Sequence, residues 1–245
     1  TISSVLEKFS ISRKKRPKGD LIWINGVSVG ESKTGIAVAR EIKKIKPESS
    51  ILFSTSTLSA YNLLSKSKNN FVVIFFPLDI NFLIKRFLKY WNPSSVIFIE
   101  SEIWPNIFNI LKEKSIKLSI LNARISNKSF INWKRINSFS KSVFPLIDQC
   151  YTQNNDSLKR FKELGTKNVK RIQNLKYISQ GLVVDSVAYK KIFEQIKSKR
   201  VVTLFSSHAE EEKMFADIFE VLSKDFSNLF FIIIPRHINL SLIHI

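Results

Sequence analysis

Cysteine, histidine and acidic residues are scarce in this sequence. Cys150 is the one cysteine in 245 residues, so no intrachain disulfide can form and a reducing compartment fits best. It lies in a β-like run, DQCYTQ, where the expected role is a small buried apolar side chain rather than a nucleophile. Three histidines without ligand-like spacing leave a zinc site unsupported, and no metal is expected. No apolar run reaches the roughly 18 residues that span a bilayer, and the opening residues do not read as a signal peptide. Asp and Glu number 20 against 39 Lys and Arg, a formal charge of +19. Such an excess attracts a polyanion: nucleic acid, an anionic membrane surface or a phosphorylated substrate. A merely lysine-rich, solvated surface explains it equally well. Only Arg13-Lys14-Lys15-Arg16, with Lys18 beyond, forms a dense basic run. The start on Thr1, and the stop at PRHINLSLIHI behind a strong strand, lead us to expect a piece of a longer chain.

Hydrophobic residues make up 44% of the chain, enough for one large core or two smaller ones. Apolar β-rich runs (LIWINGVSV, SILFSTS, FVVIFF, SVIFIES, KLSILNA, DQCYTQ) alternate with helix-like stretches. Among the latter are SKTGIAVAREIKKI, NFLIKRFLKYW, WPNIFNILKEK and NNDSLKRFKELG. In the first of these, Ile36, Ala39, Ile42 and Ile45 form a stripe able to pack on a sheet. Pro105 suits a first helical turn and Gly165 a helix stop. The alternation predicts a parallel sheet covered on both faces. After NVKRIQNLKYISQG the pattern restarts with RVVTLFSS and LFFIIIP as strands. The expected fold class is therefore α/β with two Rossmann-like domains. The first spans residues 1–175, and the second, residues 176–245, is read as the incomplete start of another.

In such sheets ligands bind beyond the carboxyl ends of the strands, and here those ends are polar. The candidates are Ser28, Gly30 and Glu31; Thr55 and Ser56; Asp79; Glu100 and Glu102; Asn122 and Arg124. In the second domain they are Ser206, Ser207, His208, Arg236 and His237. Each has a plainer reading. Ser28 and the Ser/Thr run suit helix caps, and Asp79 suits the N-cap of the helix after it. Glu100 and Glu102, two apart, point to one side if the strand persists, or pair with the basic surface. Glu31 sits where a helix dipole and exposed N–H groups favour an anion, as a proton acceptor requires, or as any helix-start Glu does.

The segments LIWINGVSVGES, STSTLS, FFPLD, IESEIWPN, LNARIS, NDSLKRFKELG, NLKY, SSHAEEE and IIIPRH resemble, in the same order, those of the 3-deoxy-D-manno-octulosonic acid (Kdo) transferases of lipopolysaccharide assembly. The resemblance runs from about Arg16 to His237 and implies the GT-B fold, with two Rossmann-like domains around a cleft. It implies transfer of Kdo from CMP-Kdo to the lipid A precursor, at the cytoplasmic face of the bacterial inner membrane. By the same resemblance Glu31 is the catalytic base, and Glu100 and Glu102 shape the acceptor side. Asn174, Lys176, Ser206, Ser207, His208, Glu211 and Arg236 match donor-side segments. Cofactors and metals are not implied; the partners are CMP-Kdo, the lipid A precursor and an anionic membrane surface, with no nucleic acid. The sequence departs from the family where Asn25-Gly26 replaces His-Ala, and at Ser59-Ala60, Gln173, Ile178 and Glu210. The alternative reading is another GT-B glycosyltransferase with a different nucleotide sugar; a basic nucleic-acid-binding domain has only the charge in its favour, since no recognition motif is present.

Overall fold

The computed structural model describes residues 2–67, 71–178 and 184–236. The chain divides into two compact units, Thr1–Gln180 and Gly181–Ile245. In the first, the elements run α1 (Ile2–Lys8), β1 (Leu21–Asn25), α2 (Val29–Ile45), β2 (Ser50–Thr55), α3 (Leu58–Lys66), β3 (Val72–Phe75), α4 (Asn81–Trp91), β4 (Ser95–Ile99), α5 (Pro105–Glu113) and β5 (Lys117–Ala123). They continue through α6 (Asn127–Arg135), α7 (Asn137–Val143), β6 (Gln149–Thr152), α8 (Asn155–Glu163), β7 (Val169–Arg171) and a 3-10 turn, Leu175–Ile178. The second unit holds α9 (Ser186–Ile196), β8 (Arg200–Ser207), α10 (Ala209–Leu222) and β9 (Leu229–Pro235).

The larger sheet has the order β3-β2-β1-β4-β5-β6-β7, and every pairing is parallel. Strand alternation builds its two cores. Leu21 and Trp23 of β1 face one way, into a cluster with Ile84, Phe87 and Trp91 of α4 and Ile107 and Phe108 of α5. Ile22 and Ile24 face the other way, packing with Ala39 of α2 and Leu64 of α3. Period-2 geometry and a helix on each face account for strands that read as unbroken apolar runs. Trp23 is fully buried and its ring lies 4.7 Å from Phe87 and 5.8 Å from Phe98. Its indole N–H donates to Ser54 Oγ at 2.7 Å, so the one polar atom of the ring is satisfied.

Local signals behave as their chemistry requires. Pro105 opens α5, and Gly165 follows α8 with φ +111, a left-handed stop. Gly35 lies where a Cβ would come within 2.8 Å of the Phe53 ring, so α2 sits close against β2. Cys150 is buried, and burial pushes its thiol up to about 12, so it stays neutral. The expected α2 stripe is shorter than read: Ala39 is buried, but Ile45 is 79% exposed. Lying in the helix's last residue before Lys46, it has passed the sheet.

The dense basic run is partly structural. Lys14 pairs with buried Glu7 at 3.5 Å, donates to the Tyr61 hydroxyl at 2.8 Å and reaches the Val73 carbonyl. The Arg16 guanidinium donates to the carbonyls of Trp91 and Asn92. Arg13, Lys15 and Lys18 remain exposed. Glu7 also accepts the Phe75 N–H at 2.8 Å, so α1 closes the otherwise open β3 edge.

The second unit is a parallel β8–β9 pair with α10 alongside. Phe231 of β9 contacts Phe215 and Phe219 of α10, with ring centroids 4.3 and 5.0 Å apart. Large apolar side chains such as Val187, Phe205 and Met214 are exposed. The division at Gln180, rather than after residue 175, leaves Lys176 with the first unit.

Glu7→Ala removes both the acceptor for Phe75 N–H and the partner of Lys14. The expected loss is about 1–3 kcal/mol in urea unfolding, with Glu7→Gln losing less because an acceptor oxygen remains. An unchanged midpoint for Glu7→Ala would show that α1 contributes nothing to the β3 edge.

Candidate active site

In the sheet order, connections leave β1 and β4 toward opposite edges, so the gap between these neighbours is the switch point where open α/β sheets bind ligands. Glu31 lies beyond the end of β1, and Glu100 and Glu102 beyond the end of β4.

The β1–α2 turn is tightly fixed. Ser28 caps α2, its hydroxyl accepting the Glu31 N–H at 3.2 Å. The Glu31 carboxylate reaches back to accept the Val27 N–H at 2.7 Å, and the Val27 carbonyl accepts the Thr55 and Thr57 hydroxyls at 2.9 and 3.1 Å. Gly26 packs closely on the turn: a Cβ there would lie 3.1 Å from the Glu31 carbonyl carbon, so a larger residue would need a small shift of the backbone. Thr55 is thus a buried pin for the turn, while Ser56 is exposed. Gly30 faces open space, with Ser28 Oγ at 3.9 Å the nearest atom a Cβ would meet. Below the turn, buried Asn25 accepts the Ser54 hydroxyl at 2.7 Å through Oδ1, and its Nδ2 has no hydrogen-bond partner among the described residues. This is the position at which the resembled family carries His.

Strand β4 ends at Ile99, and Glu100 takes φ +67, so Glu100 and Glu102 do not share a strand face. They diverge into separate roles. Glu100 pairs with Lys176 at 2.7 Å and meets the Asn122 amide at 3.5 Å. Glu102 accepts the Trp104 indole N–H at 2.8 Å. Burial raises the Glu102 pKa above its ordinary 4.5; the Trp104 bond opposes the rise, and the charge of Glu31 adds to it. Two carboxylates, Glu31 and Glu102, therefore share one electrostatic field at the switch point.

Asp79 does not cap the helix that follows it. The N-cap of α4 is Ile80, with no side-chain bond. Asp79 instead accepts the Asn106 and Ile107 N–H groups at 3.2 and 2.8 Å, capping the first turn of α5. Burial raises its pKa against those two bonds and one from the Asn106 side chain.

Asn122 sits at an irregularity in the β5–β6 register with φ +57, fully buried. Its Oδ1 accepts the Leu175 N–H at 3.1 Å, tying the Asn174–Lys176 segment to β5. Asn174 donates to Gln153 at 2.9 Å and accepts the Lys176 N–H at 3.0 Å. Arg124 is exposed just past β5, its carbonyl accepting the Ser101 hydroxyl.

In the second unit Ser206 takes φ +62 at a register shift in β8. Buried Ser207 donates its hydroxyl to buried Glu212 at 2.8 Å, and its carbonyl accepts the Arg236 N–H at 3.0 Å. Ser207 and Arg236 are thus side by side. Glu211 accepts the His208 N–H at 2.8 Å. His237 lies outside the described residues. Sequence reading named Asn25 only as a departure from the resembled family and did not name Glu212, Gln153 or Arg171, none of which carries a local signal that marks it out. An apolar groove of about 300 Å³, including Val38, Ile42, Leu121 and Leu175, contains none of the candidates. No three His, Cys, Asp or Glu side chains among the described residues gather as a metal set, and no described helix is long and apolar enough to cross a membrane.

A parallel α/β sheet with its carboxylates at the switch point, followed by a second β–α–β unit, defines a GT-B-like protein. UDP-GlcNAc 2-epimerase from Neisseria meningitidis superimposes with a TM-score of 0.62 at 14% identity, over 90% of this chain and 66% of that one. MurG from Acinetobacter baumannii does so at 0.50 and 9%, over 89% and 66%. Within that fold the chain belongs to the Kdo transferase family, whose model, "3-Deoxy-D-manno-octulosonic-acid transferase (kdotransferase)", matches residues 3–179. A 3-deoxy-D-manno-octulosonic acid transferase of Rickettsia bellii is 33% identical over 96% of this chain and 56% of its own length. One from Haemophilus influenzae is 27% identical, over 90% and 52%. The chain spans about half the length of the curated relatives it matches.

A raised carboxylate pKa means that Glu102 contributes stability that is present below its unfolded value and lost as pH rises through the folded one. Glu102→Gln keeps the acceptor for Trp104 but does not ionise. Relative to the parent it should gain stability as pH rises from about 4 toward neutrality, in urea unfolding at stepped pH. A difference that does not vary with pH would show that burial and the charge of Glu31 do not raise the Glu102 pKa in the folded protein.

Proposed function

We propose that this chain carries the acceptor side, and the start of the donor side, of an inverting glycosyltransferase. It moves Kdo from CMP-Kdo to the lipid A precursor lipid IVA, at the cytoplasmic face of the bacterial inner membrane. The observation that carries this reading is Glu31: a half-buried carboxylate in the first turn of α2, oriented by the Val27 N–H, at the switch point of a family member's sheet.

In this reading the Glu31 carboxylate takes the proton of the acceptor hydroxyl while that oxygen bonds to the anomeric carbon of Kdo. The bond from that carbon to the CMP phosphate breaks, and its electron pair leaves on the phosphate oxygen. Lys176 supplies positive charge for the departing phosphate in this reading, and Arg236 is a donor-side cation of the second unit by its match to the family's segments. Atoms and charge balance without a metal or redox cofactor. Ser206, Ser207, His208 and Glu211 belong to the donor side, as their match to the family's segments implies. Exposed Arg13, Lys15 and Lys18 suit an anionic membrane surface, where each cation contributes roughly 1 kcal/mol.

Glu31→Gln retains an oxygen for the Val27 N–H, so the turn and the fold should persist. Transfer from CMP-Kdo to lipid IVA should fall about 10²–10⁴-fold. Near-parental turnover would remove Glu31 from the chemistry, and thermal protection by UDP or GDP but not by CMP would favour a different nucleotide-sugar donor.

A further inference from the structure

Beyond the carboxyl ends of β5, β6 and β7 lies a polar recess of about 740 Å³, lined by Arg124, Gln153, Asn154, Arg171, Gln173, Asn174, Lys176 and Tyr177. Its lining contains three cations and no carboxylate. Lys176 is offset by Glu100 at 2.7 Å. Arg124 and Arg171 form no ion pair among the described residues, so two guanidinium charges border the recess without a counter-charge. The Gln153 amide is oriented to donate. Gln153 Oε1 is taken by the Asn174 amide at 2.9 Å, which leaves the Gln153 nitrogen for a ligand oxygen. The walls are firm: Arg171 is the last residue of β7, in register with Thr152 of β6, and Asn122 holds the Leu175 N–H.

We propose that this recess binds a phosphate group of a substrate through Arg124 and Arg171, with the Gln153 amide as an additional donor. Two planar guanidinium forks match the tetrahedral oxygens of a phosphate ester, to which each can donate two hydrogen bonds. A neutral sugar would leave both charges uncompensated, and an apolar chain would desolvate them at a cost. The inference rests on the glycosyltransferase reading for its substrates, which offer two sources of that chemistry: a phosphorylated sugar on the acceptor side or the nucleotide phosphate of the donor. Arg171 is new to the site; nothing in its local sequence, NVKRIQN, distinguishes it from the chain's other cations.

The test is a binding titration of the chain with inorganic phosphate, glucosamine 1-phosphate and CMP, which involves no transfer step. Arg124→Gln and Arg171→Gln should each weaken phosphate binding about tenfold or more, with unchanged circular dichroism. Lys167→Gln removes the same charge from an exposed site away from the recess and should change nothing. Weakened glucosamine 1-phosphate with unaltered CMP assigns the recess to the acceptor; weakened CMP assigns it to the donor. No phosphate binding by the parent, binding unaltered in the double Arg variant, or an equal loss in Lys167→Gln overturns the proposal. Because Glu31→Gln is read by transfer and this titration is not, either reading can fail while the other stands.

Discussion

The Val27 peptide group joins three elements: its carbonyl accepts hydroxyls from Thr55 and Thr57, and its N–H donates to the Glu31 carboxylate. A net gain of about 1 kcal/mol per bond is ordinary, but the consequence is geometric. The end of β2 holds the turn after β1, and the turn holds the side chain that faces the switch point. Gly26 permits the approach, since any Cβ there would press on the first turn of α2. In the proposed role, a carboxylate held this way meets the condition of preorganisation, its position being fixed before substrate arrives.

Left-handed backbone recurs at strand ends within each unit. Glu100, Asn122 and Ser206 all adopt left-handed backbone without being glycine, each at a strand's carboxyl end. Such residues cost roughly 1–3 kcal/mol apiece and persist where surrounding bonds over-determine them. Asn122 has those bonds, one to the Leu175 N–H and one to Glu100, and Glu100 has Lys176. Register shifts at Asn122 and Ser206 turn the chain out of the ladder where polar groups are needed.

The large positive charge is distributed among different tasks. Lys14 and Arg16 hold the amino-terminal segment onto β3 and the end of α4 through carbonyls, a tyrosine and buried Glu7. Lys176 is tied to Glu100. Arg124 and Arg171 instead line a recess with no carboxylate in its lining, and neither forms an ion pair among the described residues. Net charge alone does not separate these classes, because a guanidinium satisfied by backbone carbonyls and one awaiting an anion contribute equally to the total.

Much of the fold was legible in the sequence because its signals are local. A parallel sheet covered on both faces leaves its strands apolar throughout, so runs such as FVVIFF announce it. Pro105 and Gly165 mark helix ends by backbone chemistry that needs no partner. Glu31 and its Ser28 cap were readable for the same reason, being contacts within four residues. Tertiary structure decided the rest, because the deciding partners are distant in sequence. Asp79 caps a helix starting 26 residues later instead of its neighbour. Glu100 and Glu102 part company because the backbone turns left-handed between strand and loop. Arg171, Arg124 and Gln153 come together only because β5, β6 and β7 are adjacent and parallel. Spacing along a chain specifies faces and caps; which strand lies beside which, and so which charges meet, is set by packing of the whole sheet.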